Sequence, residues 1–97
     1  MTDDFANALA EAERLLGDPA RASDAAKAAL RALLEAWSVA PSGETVVALL
    51  EQAAQTDDSL LEFRAEASVL DRFPDEPDAA ERAKIFVDAA RARLANI

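Results

Sequence analysis

The sequence predicts an all-α protein, an up-and-down four-helix bundle with an additional short helix, in one domain spanning residues 1–97. Three observations predict it. The composition is rich in Ala, Leu and charged residues, with only two Gly and four Pro, which favours helices over a sheet. Apolar residues recur at intervals of three and four along every long segment. The breaks between segments carry Gly, Pro, Ser and Asp, the residues that start and stop helices.

The stretch Pro19 to Val39 organises the rest. Its polar residues Asp24, Lys27, Arg31, Glu35 and Ser38 form one narrow stripe on a helix. Ala26, Leu30, Leu33, Leu34 and Trp37 make a heavy apolar face, flanked by Ala25, Ala28, Ala29, Ala32 and Ala36. A helix apolar over most of its girth is packed on several sides. The alanines let a neighbouring backbone come close. They also leave a surplus apolar flank; this flank, or the exposed side of the helix that ends near Arg72, is expected to meet a second copy, so a homodimer is expected. Leu33 and Trp37, one turn apart, are both expected in the core.

Ahead of this helix, Asp3 to Leu16 places Phe5, Ala8, Leu9, Ala12, Leu15 and Leu16 on one face. Thr2 or Asp3 is its expected cap and Gly17 its expected stop. Asp18-Pro19 reads as an N-cap followed by proline at the first helical position. So short a connection predicts an antiparallel hairpin. After Pro41-Ser42-Gly43, with Ser42 as the candidate N-cap, Val46, Val47, Leu49, Leu50, Ala53 and Ala54 give a third helix one apolar face to about Gln55. This third helix is expected to be the shortest or least regular. Ser59 with Glu62 matches a capping box for the next helix. That helix carries Leu60, Phe63, Ala67 and Leu70 and should stop near Arg72, because Pro74 disfavours helix before it. The last helix is expected from Pro77, with Ala79, Ala83, Phe86, Val87, Ala90 and Leu94 inside, and Asp78–Arg82 and Asp88–Arg91 pairs outside.

Composition excludes several chemistries. Without Cys there is no disulfide and no thiolate metal site; without His there is no imidazole base or ligand. A chain of 97 residues buries about 60–65% of its extended surface, enough for one core but not a deep enzyme cleft. No apolar run reaches the roughly 18–20 residues that span a bilayer, so no membrane association is expected. The acidic start Met1-Thr2-Asp3-Asp4 is unlike a signal peptide, and a cytoplasmic location is expected. The net charge is −9, with the excess of acid concentrated between Glu44 and Asp78 and an excess of base after Ala79. Free duplex nucleic acid is therefore not an expected partner.

Two constellations are candidates for chemistry. Asp58, Glu62 and Glu66 share one helix face, and Asp75, Asp78 and Glu81 repeat at intervals of three. Such carboxylates serve a divalent cation only where they converge, and the facing Glu-x-x-Glu that would complete them is missing, so no metal site and no cofactor is assigned. The second is the run Arg64 to Asp75, in which two arginines approach a proline turn and are able to hold a phosphate. The plain alternative pairs Arg64 with Glu66 and Arg72 with Asp71 as surface ion pairs.

The order of segments, ending in Asp71-Arg72-Phe73-Pro74-Asp75 before a last Ala-rich helix, resembles the HEPN domains, small prokaryotic four-helix bundles. Members commonly carry an Arg-Tyr-Pro-Asp-like sequence before their final helix; here it stands as Arg72-Phe73-Pro74-Asp75. The resemblance runs from about Phe5 to Leu94. It implies one of two functions. Catalytic members are metal-independent ribonucleases with an Arg followed by four to six residues and a His, shown at a dimer interface. Arg64 is the corresponding Arg, but Val69, Leu70 and Asp71 occupy the positions for His, so the motif is broken and no catalytic residue is assigned. Non-catalytic members dimerise and accompany a minimal nucleotidyltransferase. The resemblance thus implies a homodimeric, non-enzymatic, toxin–antitoxin-like module with a nucleotidyltransferase or other protein partner, and a nucleotide or phosphate ligand near Arg64, Arg72 and Asp75. Two readings stand beside it: an all-α metal-dependent nucleotide hydrolase using Asp58, Glu62, Glu66, Asp75 and Asp78, and an acidic helical adaptor of other ancestry.

Overall fold

A chain this rich in alanine has little bulk with which to fill a core, so its helices must approach closely. In the computed structural model, which describes residues 4–95, five α-helices do so: α1 (Asp4–Leu15), α2 (Ala22–Ala36), α3 (Val46–Ala54), α4 (Arg64–Arg72) and α5 (Ala79–Leu94). Two 3-10 segments, Pro19–Arg21 and Asp58–Phe63, lead into α2 and α4. No strand occurs among the described residues. The radius of gyration is 12.0 Å, against about 13 Å for a compact domain of 100 residues.

Helix α2 is the shared wall. It packs along α1 and α5 and also meets α3 and α4. Its Ala22, Ala25, Ala26, Ala29, Leu30, Ala32, Leu33 and Leu34 are all buried. Of the alanine flank, Ala25, Ala29 and Ala32 are covered within the chain, while Ala28 and Ala36 stay half-buried. Around α2 the core is completed by Ala12, Leu15, Val46, Leu49, Leu50, Ala53, Leu60, Ala67, Leu70, Phe86 and Val87. Phe63 meets Phe86 edge to face, with ring centroids 6.1 Å apart, an arrangement favoured by the ring quadrupoles.

The helix ends differ from their expected form in physically informative ways. The cap expected at Thr2 or Asp3 lies outside the described residues, as does the Phe5 side chain. Gly17 does not take a left-handed conformation. Its N–H simply bonds the Arg14 carbonyl at 3.2 Å as α1 tightens and ends. The left-handed residue is Ser38, with φ 60°. There α2 closes in a Schellman motif: Ser38 N–H bonds Glu35 O at 3.0 Å and Val39 N–H bonds Leu34 O at 2.8 Å. This ends the helix at Ala36 and leaves Trp37 just past it, half-buried instead of in the core.

Asp18 caps the turn after α1 through Ala20 N–H at 3.0 Å, as its place before Pro19 predicts. Thr45, not Ser42, caps α3, accepting from Ala48 N–H at 3.0 Å. Asp57, not a Ser59–Glu62 box, caps the segment before α4, accepting from Ser59 N–H at 3.2 Å. That segment is wound as 3-10, so the irregularity falls at the entry to α4, while α3, with nine residues, is as short as α4 and shorter than the other three helices. Helix α5 starts at Ala79, two residues after Pro77.

Candidate functional site

The acidic middle of the chain folds as α3, the 3-10 segment and α4, packed on one another. What starts α3 is a side chain from the end of α4. The two carboxylate oxygens of Asp71 accept from Val46 N–H and Val47 N–H, each at 2.9 Å. With Thr45 on Ala48, the first three amides of α3 are satisfied. A helix begins with amides that have no partner inside it, and an anion there also meets the positive end of the helix dipole. The connection from α2 is held by Gln52, whose amide nitrogen donates to Ala40 O at 2.7 Å and whose oxygen accepts from Ser42 N–H at 3.1 Å.

Between α3 and α4 runs an open groove of about 410 Å³, lined by Val47, Arg64, Ala65 and Ser68. Arg64 forms one rim and reaches across to Glu51 of α3, Nη2 to Oε2 3.2 Å. Both groups are more than half or nearly half exposed, so the pair holds little energy, on the order of 0–1 kcal/mol. The sequence-predicted ligand residues are thus not gathered. Arg64 lines the groove; Arg72, at the last turn of α4, and Asp75, in the following turn, are exposed and do not line it. The plain pairings fail too: Arg64 takes Glu51 instead of Glu66, Asp71 is given to α3, and Arg72 has no ion-pair partner among the described residues.

The carboxylates are dispersed. Glu66 bonds Arg82 of α5 at 2.6 Å, and Asp78 bonds the other end of the same guanidinium at 2.9 Å. Among the described residues no three acids come together in a way that would hold a metal ion. At the far end, Arg93 donates to Asp57 at 2.6 Å, to Ser59 Oγ at 2.9 Å and to the Ala89 carbonyl at 3.1 Å. Hydrogen bonds from Ser59 first, and from Arg93 second, hold the Asp57 carboxyl below the ordinary carboxylate range. Arg91 pairs with Glu13 of α1 and with Asp88. The Asp78–Arg82 and Asp88–Arg91 pairs expected from spacing are both present. The cross-helix partners Glu66, Asp57 and Glu13 had no local signal, since they lie 16, 36 and 78 residues away in sequence.

No protein-family model, no curated protein and no solved structure matches the chain. No helix is long and apolar enough to cross a membrane among the described residues.

Proposed function

We propose that this chain is a non-catalytic, HEPN-like four-helix module that forms a homodimer and binds a protein partner, a minimal nucleotidyltransferase being the partner class that the resemblance implies. The observation that carries the reading is the use of Asp71. Its position is where the ribonuclease motif would need a proton-transferring side chain, and both its oxygens are occupied by α3 amides. General acid–base catalysis requires a group free to give and take a proton near neutral pH. Arg64, the other half of that motif, stays charged and serves as a positioning group for a phosphate-bearing ligand at the α3/α4 groove. Arg72 and Asp75 are exposed and lie outside the groove.

The test is an RNA cleavage assay on a single-stranded substrate with wild type and Arg64→Ala, with and without magnesium. No cleavage is expected under either condition. Cleavage by the wild type that is lost in Arg64→Ala would restore the ribonuclease reading.

A further inference from the structure

The helices sort into two groups. Helices α1 and α5 both pack along α2 and meet each other, while α3, the 3-10 segment Asp58–Phe63 and α4 pack on one another. The second group is continuous in sequence, residues 46–72. It is bounded by two connections, 37–45 and 73–78, that contain no helix and no buried residue. The seam between the groups is made by α2 against α3 and, more thinly, by α4 against α5.

The polar ties sort the same way. Inside the second group, Asp71 of α4 holds Val46 and Val47 of α3, and Arg64 of α4 pairs with Glu51 of α3. Inside the first, Arg91 of α5 pairs with Glu13 of α1. Two arginines of α5 cross the seam. Arg82 gives one end of its guanidinium to Glu66 of α4 at 2.6 Å and the other to Asp78 at 2.9 Å. Arg93 donates to Asp57, the cap of the 3-10 segment, at 2.6 Å and to Ser59 Oγ at 2.9 Å. The two stand about 16 Å apart along α5, and the Phe63–Phe86 ring contact bridges the seam between them. The Arg82 Nε is buried without a hydrogen-bond partner among the described residues. That is a cost of the closed arrangement, relieved when water reaches the group.

We infer that residues 46–72 are a hinged unit that opens from α1, α2 and α5 as one cooperative piece, with Arg82 and Arg93 as the two clamps that hold it shut. Contiguous segments with few ties to the rest of a fold open in this way. Helices of nine residues keep little structure alone, and the Asp71 and Arg64 ties make α3 and α4 go together. The groove is coupled to this motion. Val47, Arg64, Ala65 and Ser68 all belong to the unit, so opening abolishes the groove and any occupant of it holds the clamps shut. The coupling is independent of what the occupant is and of the function proposed above.

The experiment is native-state hydrogen exchange, read amide by amide by NMR in low urea, on wild type, Arg82→Gln, Arg93→Gln and Arg91→Gln. In wild type the amides of α3 and α4 should merge on one shared opening, more frequent than the opening that exposes α2 and α5. A bond broken by the partial opening is missing in the open form, so its removal speeds exchange in α3 and α4. Arg82→Gln and Arg93→Gln should each do so by about tenfold. Arg91→Gln removes the same charge from the same helix, but its tie to Glu13 survives the opening. It should leave α3 and α4 within about twofold of wild type. One opening shared by all five helices, or separate openings for α3 and α4, would overturn the unit, and wild type alone decides this even if a variant does not fold. Clamp variants whose α3 and α4 exchange as in wild type, or an Arg91→Gln that acts as they do, would overturn the clamps.

Discussion

The carboxylate of Asp71, in the last turn of α4, holds the backbone N–H of Val46, the first residue of α3, at 2.9 Å. The bond joins residues 25 apart in sequence and sets where α3 begins. Asp71→Ala leaves two part-buried amides without their acceptor. It should cost about 1–2 kcal/mol, in the range of a lost N-cap. Asp71→Asn keeps one acceptor oxygen and should cost less. Urea midpoints order the three proteins, and faster amide exchange at Val46 and Val47 would locate the loss. Equal midpoints for all three would remove the cap from the energetics.

The conformations of three small residues predict opposite responses to small changes. Ser38 sits at φ 60°, where a Cβ is disfavoured and glycine is not. Ser38→Gly should stabilise by about 0.5–1 kcal/mol. Gly17 has no such conformation, and an added Cβ would meet only the Arg14 carbonyl at 3.4 Å. Gly17→Ala should therefore be neutral or stabilising. Gly43 is different, because a Cβ there would lie 2.8 Å from Ala48 Cβ and 3.0 Å from Leu49 N. Gly43→Ala must displace the start of α3 and should lower the thermal midpoint. A Gly43→Ala protein as stable as wild type would show that the loop shifts freely.

Leu33 is fully buried in the last turn of α2. Leu33→Ala should cost roughly 2–5 kcal/mol, a large fraction of the 5–15 kcal/mol typical of a domain. Trp37 is only half-buried. Its native emission should lie between that of a core tryptophan and that of indole in water. Denaturation followed by this band measures the Leu33→Ala loss, and a difference below about 1 kcal/mol would contradict the burial.

Acid sensitivity follows from Asp57. Its folded carboxyl is held below the ordinary value near 4 by Ser59 and Arg93. Between the lowered folded value and the unfolded one, the unfolded chain binds more protons. This contribution is fully present above about pH 4 and is lost as pH falls through the lowered value. Stability should be level from pH 5 to 8 with respect to this group and fall below about pH 4. Asp57→Asn should flatten part of that fall in pH-dependent urea melts. An identical acid slope in wild type and variant would assign the loss to other carboxylates.

Much of the fold was legible because it is periodic. Helix α5 shows this best: Ala79, Ala83, Phe86, Val87, Ala90 and Leu94 are all buried, as their spacing predicts. The centrality of α2 was legible for the same reason. Errors fall at ends, where local rules compete. Gly17 stands where α1 stops but without a left-handed conformation, which Ser38 takes at the end of α2 instead, and Thr45 in place of Ser42 caps α3. Trp37 fell outside the core because the Schellman turn closes α2 one residue before it. The site was least legible. Asp71 reads as a neighbour of Arg72, and only tertiary structure brings it to Val46. Of Arg64, Arg72 and Asp75, one lines the groove, since Arg72 lies a full turn beyond Ser68 along α4 and the chain leaves the helix before Asp75.

The alanines of α2 give this core a directional sensitivity to mutation. Ala25, Ala26, Ala29 and Ala32 are fully buried, so they have almost nothing to lose by truncation. A fully buried alanine leaves no room for a longer side chain between α2 and the helices packed on it, and enlargement of a packed position costs typically about 1–3 kcal/mol. Most protein interiors are damaged chiefly by making residues smaller. Here the sequence space around the central helix is closed on the other side, and substitutions that add atoms at these four positions are the ones that natural variation should avoid.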